Sequence, residues 1–378
     1  MRARRRQSAF RTALIGVLLG MALGLLLGYE LGRMAGPGRA ALEILMVYGS
    51  EKQAWIEAVV PEFEREYEER TGTPIRVVCV PMGSGESMYQ VILGQLKPVV
   101  WSPACSLWIP LANKLWAEEH PGSGPLVPEG AWHPLVSSPL VIITWASLQE
   151  SWHLASLRDL RELAVSERGQ EVRFAHTDPS LSNSGLMSIM LELLAAIKVL
   201  YPPGKAPPEL TVEDMEDPAV KAWIRGLEAR AVAYPSSTGW LVGDMVSSGP
   251  GKINVVLAYE NLVILENQAA GKELLVAIYP EEGLLMSDHP FCILNAPWVS
   301  PEQREAARAL LAYLLRADVQ AKAMRYGFRP VNESVELDTT IFSPEWGVLP
   351  DPPVEVLSTE VSGDVVLLLP DLWMACRP

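Results

Sequence analysis

Short β-branched runs recur along the chain, and each ends in a small polar turn before a stretch of helical spacing begins. Leu42 to Tyr48 is the first such run, closed by Gly49-Ser50-Glu51-Lys52. Ser50 is placed to cap a helix from Glu51 to about Arg70, in which Trp55, Ile56, Val59, Val60 and Phe63 make one apolar face. Ile75 to Val80 is a second strand; Pro81-Met82 ends it, and Gly83-Ser84-Gly85-Glu86 opens a helix through Gln90 to Leu96. Val99-Val100-Trp101 is a third, followed by Ser102-Pro103-Ala104-Cys105-Ser106 and a helix to about Glu118. Strand, helix and strand in this order form right-handed parallel units. Three successive strand ends therefore carry hydroxyls and free N–H groups where helices start, the place where open α/β sheets bind ligands.

Leu135 to Trp145 is an extended apolar run that crosses to a second lobe. There, Glu171 to Ala175 leads into His176-Thr177-Asp178-Pro179-Ser180-Leu181-Ser182-Asn183-Ser184-Gly185, and an apolar helix follows from Leu186 to about Leu200. A helix from about Pro218 to Ala231 precedes a third turn, Ser236-Ser237-Thr238-Gly239. Ile253 to Glu260 is a strand ending in Tyr259 and Glu260, and Leu274 to Tyr279 is another. Residues 280–290 cross back, Phe291 to Leu294 returns as a strand, and a helix spans Pro301 to Ala323. From Leu337 onward the pattern shows no independent core. The fold class is α/β, with residues 37–144 plus 284–345 as one lobe and 145–283 as the other. Residues 346–378 are expected to pack on the first lobe or run partly extended.

The N-terminus reads differently. Thr12 to Gly28 carries no charge and follows Arg2, Arg4, Arg5, Arg6 and Arg11. As a helix it spans about 26 Å, a little short of a bilayer core. The arginines set the N-terminus inside and the remainder outside. Gly16, Gly20, Gly24, Gly28 and Gly32 repeat every fourth residue, a small-residue stripe suited to helix packing in lipid. Residues 1–36 are thus an export signal or a membrane anchor, with the anchor favoured because no A-x-A cleavage site follows directly. The body is expected to be extracytoplasmic.

A net charge of −14 over 378 residues argues against a nucleic-acid partner, whose phosphates require clustered Lys and Arg. Four cysteines lack metal-type spacing, and no cofactor or metal set is expected. No G-x-S-x-G elbow occurs, so the chain is not read as an enzyme. The ligand-binding candidates are Ser50, Glu51, Gly83, Ser84, Gly85, Ser102 and Ser106 on the first lobe. On the second they are Thr177, Asp178, Ser182, Asn183, Ser184, Ser237, Thr238, Tyr259 and Glu260. Neither Gly83 to Gly85 nor Ser182 to Gly185 contains Lys or Arg, which leaves neutral donors at helix N-termini to hold an oxyanion or carboxylate. Convergence of three among Glu51, Glu86, Asp178, Glu260 and Asp288 with His176 or His289 would instead hold a cation. A polar organic ligand is equally compatible with the acids and Tyr259. Replacing Ser84 and Ser184 together by Ala is expected to weaken binding.

Taken in order, these turns, with Asp288-His289-Pro290, Ala296-Pro297-Trp298 and Gly327-Phe328-Arg329-Pro330, make the chain resemble the type II periplasmic binding proteins. It is most similar to extracellular solute-binding proteins associated with von Willebrand factor A domain proteins, over about Leu42 to Asn332. No such domain follows in this chain, and no lipoprotein cysteine is present. The resemblance implies two lobes joined by hinge crossovers, a small polar solute between them, and delivery to an ABC permease. Its alternative implication is a membrane-anchored sensory or assembly module that partners a von Willebrand factor A type protein.

Overall fold

A computed structural model describes residues 41–268 and 273–378, so the expected N-terminal helix and its glycine stripe lie outside the described residues. Strand β1 (Leu42–Tyr48) is followed by a single 3-10 turn and helix α1 (Gln53–Thr71). Gly72, at φ 70°, ends α1 in the left-handed conformation that glycine adopts without strain. Then come β2 (Ile75–Pro81), α2 (Ser84–Ile92), β3 (Val100–Ser102), α3 (Trp108–Glu119) and the short β4 (Trp132–Pro134).

Strand β5 (Val136–Trp145) is buried along its whole length except around Ser137, as an apolar run in a sheet centre should be. The second lobe continues with α4 (Ala146–Trp152), α5 (Leu157–Val165), β6 (Phe174–Ala175), α6 (Asn183–Leu200) and α7 (Val212–Glu216). After these come α8 (Pro218–Glu228), β7 (Ala231–Ala233), α9 (Thr238–Ser248), β8 (Val255–Tyr259), α10 (Glu260–Asn267) and β9 (Leu275–Ile278). By length and composition α6 could span a membrane, yet 83% of it is buried inside the protein, which makes it the core helix of this lobe.

The chain returns through β10 (Leu284–Ser287) and β11 (Pro290–Ile293) to α11 (Pro301–Leu314) and α12 (Ala317–Met324). It ends in β12 (Arg329–Pro330), β13 (Val356–Leu357) and α13 (Gly363–Cys376). One sheet has the order β2-β1-β3-β11-β4, and the other β13-β10-β5-β8-β6-β7. Strands β1 to β3 pair in parallel, and β11 joins them antiparallel. Strand β5 changes partner along its length: Val136 and Ser137 face β12, Ser138 and Pro139 face β10, and Leu140 onward faces β8.

Two apolar cores result. The larger runs from the first sheet and its helices through α6 and α8 to Val365, Leu369, Leu372 and Trp373 of α13. The smaller lies on the other side of β5 and β8, where Phe342 and Val348 pack.

Three departures from the sequence pattern stand out. The residues after Leu337 build a helix, α13, capped by the Ser362 hydroxyl at the Val365 N–H (3.2 Å). It rests against α3 of the first lobe and against α6, α7 and α8 of the second, rather than on the first lobe alone or as an extended tail. Ser182 to Gly185 is not wholly a turn, because α6 already begins at Asn183. The long C-terminal helix expected over 301–323 breaks into α11 and α12 at Leu315–Arg316.

Candidate functional site

The polar turns of the two lobes face each other and touch. The N–H groups of Gly85 and Glu86, in the first turn of α2, both donate to the Leu181 carbonyl of the second lobe (3.0 and 3.2 Å). Donors that a helix N-terminus normally offers to an anion are here met by a backbone oxygen. A Cβ on Gly83 would stand 2.5 Å from the Leu181 oxygen and 2.9 Å from the Ser236 oxygen, so only glycine permits this approach. The Ser50 and Ser237 hydroxyls bond across the same seam at 2.6 Å. The Trp108 indole donates to the Asn183 side-chain oxygen (2.8 Å), and the Asn183 amide donates to the Tyr259 hydroxyl (2.6 Å). Four hydroxyls on the second lobe form a closed set: Thr177 meets Ser184 at 2.8 Å, and Thr238 meets Ser182 at 3.0 Å and Ser184 at 2.8 Å.

Below the turns of the first lobe lies an interior ionic group. Lys52 is fully buried, with its Nζ 3.3 Å from Glu51 Oε1, 3.3 Å from the Pro103 carbonyl and 3.2 Å from His289 Nδ1. His289 Nδ1 is also 3.2 Å from Glu51 Oε1, and His289 Nε2 meets no partner. His289 takes φ 43°, an unusual conformation for a residue with a side chain and a sign that the surroundings impose it. Burial would raise the Glu51 pKa, but the Lys52 charge and the His289 contact outweigh it and pull the carboxyl down to about 2. Burial, together with Lys52, lowers the His289 pKa and keeps the imidazole neutral. Burial lowers the Lys52 pKa as well, against the opposing pull of Glu51. Glu51 and His289 were each among the candidate groups, whereas Lys52 was not, because nothing local to its turn shows that it is buried.

Two α/β lobes with hinge strands between them and polar turns facing across a seam are the layout of a binding protein, and the sequence comparison decides which. Residues 44–329, well over half of the chain, match the bacterial extracellular solute-binding proteins. The chain belongs to that family. No curated protein matches it in sequence. Among solved structures, the periplasmic thiamin binding protein is similar with a TM-score of 0.64 at 14% identity, covering 91% of this chain and 98% of that one. The periplasmic binding protein AfuA from Actinobacillus pleuropneumoniae, with fructose-6-phosphate bound, gives 0.62 at 14%, over 88% and 98% of the two chains. The ferric binding protein from Campylobacter jejuni gives 0.58 at 13%, over 89% and 99%. At these identities the likeness carries the two-lobed fold and not a ligand. The family is extracellular, which places this solute-binding protein outside the cytoplasm.

Within the solute-binding protein, the candidates divide. Ser50, Gly83, Gly85, Asn183 and Ser237 lie on the seam itself. Ser84 is buried and its hydroxyl accepts from the Ala104 N–H (2.9 Å), while Ser184 is closed in by Thr177 and Thr238. Changing these two serines would therefore disturb each lobe's interior, which corrects their use as a binding test. Ser50 does not cap α1, because its hydroxyl is taken by Ser237. Glu260 faces away from the seam: fully buried, it receives two bonds from Arg329 (2.7 and 2.8 Å) and one from Tyr279 (2.5 Å). Asp178 is turned back onto the Ser180 N–H (2.8 Å), and Asp288 accepts from the Ser106 N–H (2.8 Å). Ser102 is buried with its hydroxyl unpartnered. Glu86 is half-buried, and burial raises its pKa. Hence the three-acid convergence that would make the seam a cation site is not what these side chains do.

His176 does meet acids, but others: Glu228 at 2.9 Å and Glu192, all three fully buried in the second lobe. Burial and then the Glu228 charge push the Glu192 carboxyl well above the ordinary carboxylate range. The signal for Glu192 was present in the sequence, as the single charge inside the apolar run Leu186 to Ile197.

Proposed function

We propose that this solute-binding protein captures a small oxyanion or carboxylate between its lobes and hands it to an ABC permease. One observation carries the reading: the α2 N–H groups of Gly85 and Glu86 are held by the Leu181 carbonyl, an acceptor that a solute oxygen can replace. Opening about β5 and β10 withdraws that carbonyl and bares the donors; a solute then supplies the acceptor, and closure restores the contacts of Ser50 with Ser237 and Trp108 with Asn183. Binding energy arises from the difference between contacts in the closed and open states. Neutral donors discriminate by geometry, and the Lys52 charge, neutralised by Glu51 beside it, adds little net attraction.

Gly83→Ala tests this reading in the full chain. Its methyl group would meet only second-lobe carbonyls, so each lobe folds normally while closure becomes rare. Closure over a bound solute then adds little, and apparent affinity falls towards that of the open form. The probes are inorganic phosphate, sulfate, small dicarboxylates and sugar phosphates, read by thermal shift and calorimetry. A probe that stabilises the parent and fails on the Gly83→Ala variant supports the seam as the site. A probe that binds both equally removes it.

A second reading, a membrane-anchored module partnering a von Willebrand factor A type protein, draws support from α13. A helix seated on α3 and on α6 and α8 at once restrains opening, which suits a body that displays a fixed surface. Small-angle scattering that shows the same dimensions with and without every probe would favour it.

A further inference from the structure

We propose that His176, Glu192 and Glu228 form an interior site for one divalent cation of the zinc class, separate from the seam between the lobes. The three side chains come from three elements: His176 follows β6, Glu192 lies in the middle of α6, and Glu228 ends α8. Each is fully buried, and one ligand atom from each lies within 4.8 Å of the others.

The tautomer of His176 follows from its neighbours. Nδ1 is 2.7 Å from the Thr177 carbonyl, which can only accept, so Nδ1 carries the hydrogen. That leaves Nε2 aimed at the cluster, 2.9 Å from Glu228 Oε1. Metal-bound histidines are held in this way, with the outer nitrogen fixed by a carbonyl and the inner one presented to the ion. Tyr234 donates its hydroxyl to Glu228 Oε2 (2.7 Å), which steadies that carboxylate and leaves Oε1 for the centre.

Glu192 supplies the independent observation. Among the described residues no N–H or hydroxyl donor reaches either of its oxygens, although it is fully buried, and its carboxyl group faces only that of Glu228. An interior carboxylate without a donor is rare and costly, and here it points at two further acceptor atoms. Among the described residues no lysine or arginine pairs with either glutamate, in contrast to Glu51, Glu62 and Glu260 elsewhere in the chain. Once Glu192 gives up its proton, an imidazole bound through Nε2 and two carboxylates leave two negative charges, which one divalent cation balances. One nitrogen and two carboxylate oxygens suit zinc, whereas calcium and magnesium take oxygen sets. Such an ion would join β6, α6 and α8. It would also back the wall where the Trp373 ring of α13 lies edge-on to His176, with ring centres 6.3 Å apart.

The test uses the full chain, purified without chelator, with metal content measured by elemental analysis. It is then stripped and titrated with Zn2+ while thermal unfolding is followed. About one zinc per chain, with an unfolding midpoint that falls on stripping and recovers on titration, is the expected result. Glu192→Gln keeps the shape but removes a ligand; since losing an outer partner alone costs about 10- to 100-fold in affinity, losing Glu192 should cost at least about a hundredfold. Tyr234→Phe, which leaves all three ligands, should weaken zinc by about 10- to 100-fold and serves if the first variant does not fold. No zinc on the parent chain and no thermal response to Zn2+ would overturn the proposal. So would a Glu192→Gln variant that keeps its zinc, or one as stable as the stripped parent with no zinc response in either, because Glu192 would then simply hold a proton.

Discussion

Each lobe buries a histidine against a carboxylate, and the two groups balance their charges differently. In the first lobe Lys52 lies between Glu51 and His289, so a cation built into the chain offsets the acid. In the second lobe His176 faces Glu228 and Glu192, and among the described residues no lysine or arginine joins them. A buried pair with its own counter-charge is complete once folded, while a buried acid without one must take a proton or an ion from outside. The first group is therefore fixed by sequence, and the second depends on what the surroundings supply.

The largest effect should come from Lys52→Met. It leaves Glu51 buried without its counter-charge and should cost about 3–5 kcal/mol in chemical denaturation. Adding Glu51→Gln to that variant should recover part of the loss, and strict additivity of the two changes would show that the pair does not act as a unit. Next, Glu228→Gln removes the charged acceptor of the Tyr234 hydroxyl, for which about 1.5–3 kcal/mol is expected.

Acidification should separate the two groups further. The Glu51 carboxyl is held at about 2 against an ordinary 4.5, so the unfolded chain takes up its proton first. Its contribution is complete above about pH 4.5 and is lost as pH falls towards about 2. His289, buried neutral, acts in the same direction below its ordinary 6.5, because only the unfolded chain readily charges it. Unfolding midpoints should therefore fall with acid in the parent and follow a flatter curve in the Lys52→Met, Glu51→Gln double variant. Parallel curves would show that acid lability arises elsewhere. The smallest effect belongs to Ser50→Ala with Ser237→Ala, which removes one neutral seam bond and should cost about 0.5–1.5 kcal/mol, read as a small drop in midpoint.

Much of the fold was legible because β-branched runs and Gly/Ser turns are local signals. β1, β2, β5 and β8 fall where their apolar runs do, and β1 and β2 are followed by the polar turns that the sequence shows. What each turn residue does was much less legible. Whether a serine faces the seam, as Ser50 does, or the interior of its lobe, as Ser84 does, depends on packing between residues far apart in sequence. Glu260 looked like a ligand contact because its partner Arg329 lies 69 positions away. Helix α13 was missed because Pro370 sits inside it, although Val365, Val366, Leu369, Leu372 and Trp373 keep helical spacing behind the Ser362 cap.

Strand β5 behaves as a flexure, a stiff blade with one thinned section. On one edge it pairs with β10 at Ser138 and Pro139 and with β9 from Ile142, while β8 holds the other edge from Leu140. Pro139 has no N–H to give, which thins the ladder beside it. Rotation confined to one such section keeps the motion to a single arc. If the lobes open as proposed, that section would carry the turn with Leu181 back to the same place on α2, where one carbonyl meets two N–H groups.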